Sequence, residues 1–88
     1  MLSVYLGKQF RKDLKKAEKA NKDLSILEKV FDALVKETPL DQKLKDHPLK
    51  GTLINCRECH LQPDWLLIYK IENNTLILIR TGTHSELY

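Results

Sequence analysis

Three runs near the end of the chain constrain its fold most. Leu53–Leu61, Trp65–Ile71 and Thr75–Thr81 are rich in strand-forming residues, and only "QPD" and "ENN" separate them. Connections this short join antiparallel neighbours, because a parallel crossover needs a dozen or more residues. Asn73-Asn74 suits a tight hairpin, since Asn tolerates positive φ. The runs therefore predict a β-meander, and its apolar face needs a cover.

The first half of the chain supplies that cover. Leu2–Leu6 alternates apolar positions and reads as a strand that Gly7 ends. Phe10, Leu14 and Ala17 recur at helical spacing, which predicts an amphipathic helix from Lys8 to about Ala20. A second helix follows. Asn21 or Asp23 can cap it, and Leu24, Leu27, Val30, Phe31, Leu34 and Val35 form its apolar stripe. Leu40–Gly51 lacks periodicity and is expected to be a surface loop with room for a helical turn. The order β-α-α-β-β-β gives an α+β fold. Two N-terminal helices pack on one face of a twisted, mainly antiparallel four-stranded sheet. All 88 residues form a single domain.

Charge is unevenly spread. Residues 1–22 carry seven Lys or Arg against Asp13 and Glu18, whereas the remainder carries eight against ten carboxylates. A basic helix face suits a polyanion such as RNA. It also suits plain solvation, which composition alone favours. The opening "MLSVYLGKQFRKD" has no apolar core of signal-peptide length, and the longest apolar run, "WLLIY", is far short of a membrane span. A cytoplasmic protein without a membrane partner is expected, so its two cysteines need no disulfide.

Those cysteines lie in "CRECH" (Cys56–His60), which has the form of a haem-attachment or metal motif. On a strand, Cys56 and Cys59 would sit roughly 10 Å apart and on opposite faces. A disulfide needs Cα atoms within about 7 Å, and tetrahedral zinc needs convergent sulfurs. A zinc site therefore requires the strand reading to fail. Haem lacks an axial Met, because Met1 is the only methionine. Neither metal nor cofactor is expected, and both cysteines read as small, semi-buried strand residues.

Alternation singles out other residues. With Gln62-Pro63 and Asn73-Asn74 as two-residue loops, Glu58 lies opposite Leu67, His60 opposite Trp65, and Tyr69 opposite Leu78. One face then carries Glu58, His60, Tyr69 and Arg80. The other carries Leu66, Ile68, Ile77 and Ile79 and should receive the helices. Arg57 falls on that second face and would have to snorkel at its edge. Asp64 and His84 fall at the same end of the meander as His60, and the loop holding His47 can fold over that end.

"KDHPLKG", "RECHLQPDWLLIYK" and "RTGTHSELY", together with the N-terminal "KQFRKDLKKAEK" and its following helix, closely resemble the YafQ branch of the RelE/ParE toxin superfamily. The likeness spans nearly the whole chain. It implies a small bacterial type II toxin that cuts mRNA, typically in the ribosomal A site, and that a cognate antitoxin inhibits. Partners would be that antitoxin, mRNA and ribosomal RNA. The resemblance implies His47, His60, Asp64 and His84 as catalytic residues. Glu58 joins them where relatives often carry Asp, and Tyr88 stands where they often carry Phe. Cys59 occupies a position where Ala can occur.

The reaction so implied is metal-independent: a 2′-hydroxyl attacks the adjacent phosphorus and leaves a cyclic phosphate and a 5′-hydroxyl. Histidine serves both proton roles because it titrates near neutrality. His84 is the expected leaving-group acid, with His60 or His47 near the 2′-hydroxyl. Asp64 would be a base or hold an imidazole. Arg80 would stabilise the phosphate, or simply pair with Glu58. Tyr88 would stack on a base, and Lys8, Arg11, Lys12 and Lys15 would grip RNA backbone. Competing readings are a ParE-like gyrase poison, a zinc or haem module, and an RNA-binding protein without catalysis.

Overall fold

The computed structural model describes residues 1–88. Strand β1 (Ser3–Leu6) leads into helix α1 (Lys8–Lys19) and helix α2 (Leu24–Val35). After a 3₁₀ turn at Gln42–Leu44 come β2 (His47–Pro48), a second 3₁₀ turn (Gly51–Leu53), β3 (Arg57–Gln62), β4 (Trp65–Glu72), β5 (Thr75–Gly82) and the short helix α3 (His84–Leu87). The sheet has five strands in the order β1-β5-β4-β3-β2. β1 runs parallel to β5, and the other pairings are antiparallel.

The expected α+β layering and both long helices are present. Gly7 ends β1 as expected, where an added Cβ would lie 2.9 Å from the Leu78 carbonyl oxygen. Only glycine allows that approach between the chain and β5. Asp23 caps α2, its side chain accepting from the Ser25 amide at 3.1 Å. That bond satisfies one of the orphan donors of the first turn. The core joins Phe10, Ala17, Leu27, Val30 and Leu34 of the helices to Cys59, Leu61, Trp65, Leu67, Tyr69, Leu76 and Leu78 of the sheet.

Three expectations need correction. The sheet has a fifth strand, because His47 and Pro48 leave the expected loop to pair with Glu58 and Arg57. A two-residue strand shows no alternation to read, and Pro48 is tolerated because β2 is an edge. Next, Leu53–Ile54 is not strand; β3 begins at Arg57.

The third correction concerns register. Asn73 and Asn74, at φ 50° and 58°, form the expected two-residue turn and place Tyr69 opposite Leu78. Beyond that point Ile79 is an extra residue, so Leu67 meets Thr81 and Ile68 meets Arg80. The other turn is Pro63-Asp64 rather than Gln62-Pro63, and a second irregularity falls between His60 and Gln62. Glu58 therefore lies opposite Ile68 and His60 opposite Leu66. A one-residue slip exchanges the faces. Leu67, Tyr69, Leu76 and Leu78 receive the helices, instead of Leu66, Ile68, Ile77 and Ile79. Tyr69 does not share the Glu58–His60 face; Arg80, opposite Ile68, stays in the Glu58 row by register but turns its guanidinium to Asp13 of α1. Arg57 lies on the helix side at the edge, where its Nε meets Asp46 Oδ1 at 3.2 Å.

Leu66 and Ile68 are buried all the same. The end of the chain folds back over their face. A Cβ on Gly82, the partner of Leu66, would lie 3.3 Å from Leu87 Cδ2. No helix is long and apolar enough to cross a membrane.

Candidate active site

Four short devices gather the titratable side chains at one end of the sheet. Strand β3 presents Glu58 and His60 on alternate positions of one face. β2 lays His47 beside Glu58. The tight turn between β3 and β4 carries Asp64. Helix α3 opens with His84 and is followed by Tyr88. Its first turn is fixed by a capping box, in which Thr83 and Glu86 each accept from the other's amide.

The aromatic rings form a connected row. His47 and His60 have centroids 6.1 Å apart, His60 and His84 5.9 Å, and His84 and Tyr88 6.4 Å. Glu58 is only 5% exposed and sits under this row. Its Oε1 lies 3.3 Å from His47 Nε2 and 3.7 Å from His60 Nε2. The Tyr88 hydroxyl donates a short hydrogen bond to its other oxygen. Burial, and then the neighbouring Glu58, push the Tyr88 phenol up to about 12. His47 Nδ1 lies 3.2 Å from the Pro48 carbonyl, which orients the ring so that Nε2 faces Glu58.

Asp64 is exposed, and one of its oxygens sits 3.0 Å from both the backbone amide and Nδ1 of His84. Those two bonds, the backbone one first, hold its carboxyl below the usual carboxylate range. The contact engages Nδ1 of His84 and leaves Nε2 for another partner.

The structure thus brings His47, Glu58, His60, Asp64, His84 and Tyr88 together. Arg80 lies elsewhere. Its Nε and Nη2 donate to Asp13 of α1 at 2.7 and 3.2 Å, so its ion pair is with Asp13 and not with Glu58. That contact and desolvation act in opposite directions, and the contact wins, raising the guanidinium further. Lys8, Arg11, Lys12 and Lys15 are exposed along α1.

Cys56 and Cys59 are free and buried. Burial lifts the Cys59 thiol to about 12, which rules out a resting thiolate. The metal-ligand set falls instead on His47, Glu58 and His60, which offer one donor atom each, all within 4.8 Å of one another. Two imidazole nitrogens and a carboxylate oxygen fit a borderline ion such as zinc or copper.

Asp46, beside His47, is a contributor that alternation could not reveal. Tyr69 Oη donates to it at 2.7 Å and Arg57 Nε at 3.2 Å. Both partners stand on the helix side of the sheet, so Asp46 anchors β2 from one side while His47 faces the other. Their contact joins residues 23 apart in the chain, too distant for local pattern reading.

The bacterial type II toxin-antitoxin family of YafQ toxins matches residues 2–88. An Escherichia coli K12 protein described as mRNA interferase toxin YafQ is 43% identical over 81 residues, covering 91% of this chain and 88% of that protein. A Helicobacter pylori structure described as a metal-bound toxin is 53% identical, with a TM-score of 0.94 and full coverage of both chains. YafQ in the E. coli DinJ–YafQ complex is 39% identical, with a TM-score of 0.94, covering 100% of this chain and 99% of that one. With the family matched over residues 2–88 and the fold shared with solved relatives over the full length of the chain, this protein belongs to the YafQ family of bacterial type II toxin-antitoxin toxins.

Proposed function

We propose that this toxin is an endoribonuclease that cleaves mRNA, in the ribosomal A site, by attack of a 2′-hydroxyl on the adjacent phosphorus. It works in the cytoplasm and is restrained by a cognate antitoxin. The convergence of three imidazoles with two carboxylates carries the reading. Such a set supplies what the reaction needs: a base, an acid and positive charge. The E. coli relative's description as an mRNA interferase supports it, and the DinJ complex supports an antitoxin partner.

His84 is the leaving-group acid. Asp64 fixes it through Nδ1 and so directs Nε2 toward the departing 5′-oxygen, the division of labour seen wherever a carboxylate orients a catalytic imidazole. His60 lies next in the row and takes the 2′-hydroxyl proton. Glu58 is too buried to meet substrate and acts through His47 and His60, holding both rings in place beside the developing phosphorane. Tyr88 offers its exposed ring to a base. A gyrase-directed activity would leave this proton-transfer set without a task.

The same three donors favour a second reading, in which a metal ion participates; the metal-bound relative supports it. A bound cation would occupy the atoms of His47, Glu58 and His60 that the proton-transfer scheme requires. The two readings therefore part cleanly. Cleavage of mRNA by purified protein, with ends mapped with and without ribosomes, should survive EDTA and be blocked by added zinc or copper. His84→Ala should reduce it by about 10²- to 10⁴-fold, the usual worth of a general acid. Loss of cleavage in EDTA, or full activity of His84→Ala, would overturn the scheme.

A further inference from the structure

A second cleft lies on the helix side of the sheet, next to the histidine row. It has a volume of about 450 Å³ and opens between α1 and the adjoining ends of β4 and β5. Its charge is unbalanced. Of the cations lining it, Arg80 is paired with Asp13 at 2.7 Å and Lys16 with Glu86 at 2.6 Å. Lys12 and Lys22 also line it, and neither has a carboxylate within 4.0 Å. Asp13 occupies two of the donors of Arg80, and a guanidinium has five.

The independent observation is Trp65. It forms part of the cleft wall and is 1% exposed, yet its indole N–H finds no acceptor in the protein. It is the one buried side-chain polar atom left so. Native structures rarely leave a buried donor unpaired, because desolvation is then uncompensated. The Lys22 ammonium stands 6.0 Å from the Trp65 ring centroid. A buried donor in a cleft with an unpaired ammonium near its ring and a second on the lining asks for an anionic acceptor.

We propose that this cleft binds a phosphodiester of the RNA strand beside the scissile bond, held by Lys12, Lys22 and the Trp65 indole N–H. Thr83 and Glu86 line the cleft, and His84 lies between them in the chain. The cleft thus lies within one turn of the chain from His84, within reach of a strand seated at the histidine row. The ion pairs from α1 to Arg80 and Glu86 brace both walls. This inference rests on the ribonuclease reading and adds to it a subsite outside the reacting atoms.

Trp65 is the only tryptophan, so its emission reports on the wall that this cleft shares with the core. The probes are 2′-O-methyl RNA oligomers, two and six nucleotides long, and sodium phosphate. The hexamer should change Trp65 emission while the dimer, confined to the histidine row, does not. Lys22→Gln should raise the KM for unmodified RNA by roughly threefold to tenfold and lower the salt slope of hexamer binding by about one. Lys36→Gln, which removes a charge outside the cleft, should do neither. A hexamer that binds by anisotropy without altering Trp65 emission, together with an unchanged KM for Lys22→Gln, would overturn the subsite while leaving cleavage intact. Emission changes produced by sodium phosphate at the same concentration as the hexamer would make this a free-anion site and overturn the RNA assignment. Absence of cleavage by the wild type would instead strike the ribonuclease reading.

Discussion

Glu58 and Asp64 serve the same row of imidazoles from opposite environments. The Glu58 side chain is 6% exposed and touches His47, His60 and Tyr88, whereas Asp64 is 67% exposed and holds only His84. A buried carboxylate is costly unless neighbours satisfy it, so Glu58 and its partners stand or fall together. An exposed carboxylate shares its charge with water and acts on one ring locally. Burial, more than residue type, separates a hub that fixes the charge of a site from a guide that aims one side chain.

The hub should be the more fragile. Glu58→Gln keeps the shape and still accepts from Tyr88, but removes the charge facing His47 and His60. Cleavage should fall by about 100-fold, as expected for loss of a proton-transfer arrangement. The variant should also lose most zinc or copper affinity in a direct titration. Asp64→Asn retains an acceptor oxygen for the His84 amide and should reduce cleavage by only about tenfold, with thermal stability within about 0.5 kcal/mol of wild type. If Asp64→Asn proved the more damaging of the two, the division between hub and guide would be wrong.

The same contrast explains what could be read along the chain. The Asn73-Asn74 turn was legible because its conformation is local chemistry. Both helices were legible because their apolar spacing repeats over several turns. The gathering of His47, His60 and His84 was expected from alternation and turn positions, and it survives the register error because all three lie near strand ends. The faces were not legible. The irregularities at Leu61 and Ile79 each add one residue, and neither is a glycine or proline that would mark a bulge. The partner of Arg80 was not legible either, because Asp13 lies 67 residues away. Cys56-x-x-Cys59 misleads because spacing says nothing of the burial that makes these thiols inert.

Asp46 offers a finer test of how far support for the hub extends. Tyr69→Phe removes the hydroxyl that donates to Asp46 and leaves the ring in the core. Loss of one such bond should cost about 1 kcal/mol in denaturant unfolding. Burial together with Asp46 raises the Tyr69 phenol, so the hydroxyl stays a donor throughout the working pH range. Cleavage should fall only a few-fold, because Arg57 still holds Asp46 while β2 gains freedom. A loss as large as that of Glu58→Gln would place Asp46 within the hub.

The smallest expected effect lies on the guide side, where Lys16 of α1 holds Glu86 of α3 at 2.6 Å. That bond, with the Thr83 amide second, lowers the Glu86 carboxyl to about 2. A carboxyl depressed on folding stabilises the folded state above its ordinary pKa, near 4.5. The contribution is then lost as pH falls from there toward 2. Lys16→Gln should therefore be less stable than wild type at pH 7 by under about 1 kcal/mol, since the pair is partly exposed. The gap should close between about pH 4.5 and 2, where the wild type loses the same contact by protonation. Amide exchange confined to α3 should show the same convergence. A gap that persisted at pH 2 would mean that Lys16 stabilises α3 through packing of its stem, and that the guide is held by contacts other than charge.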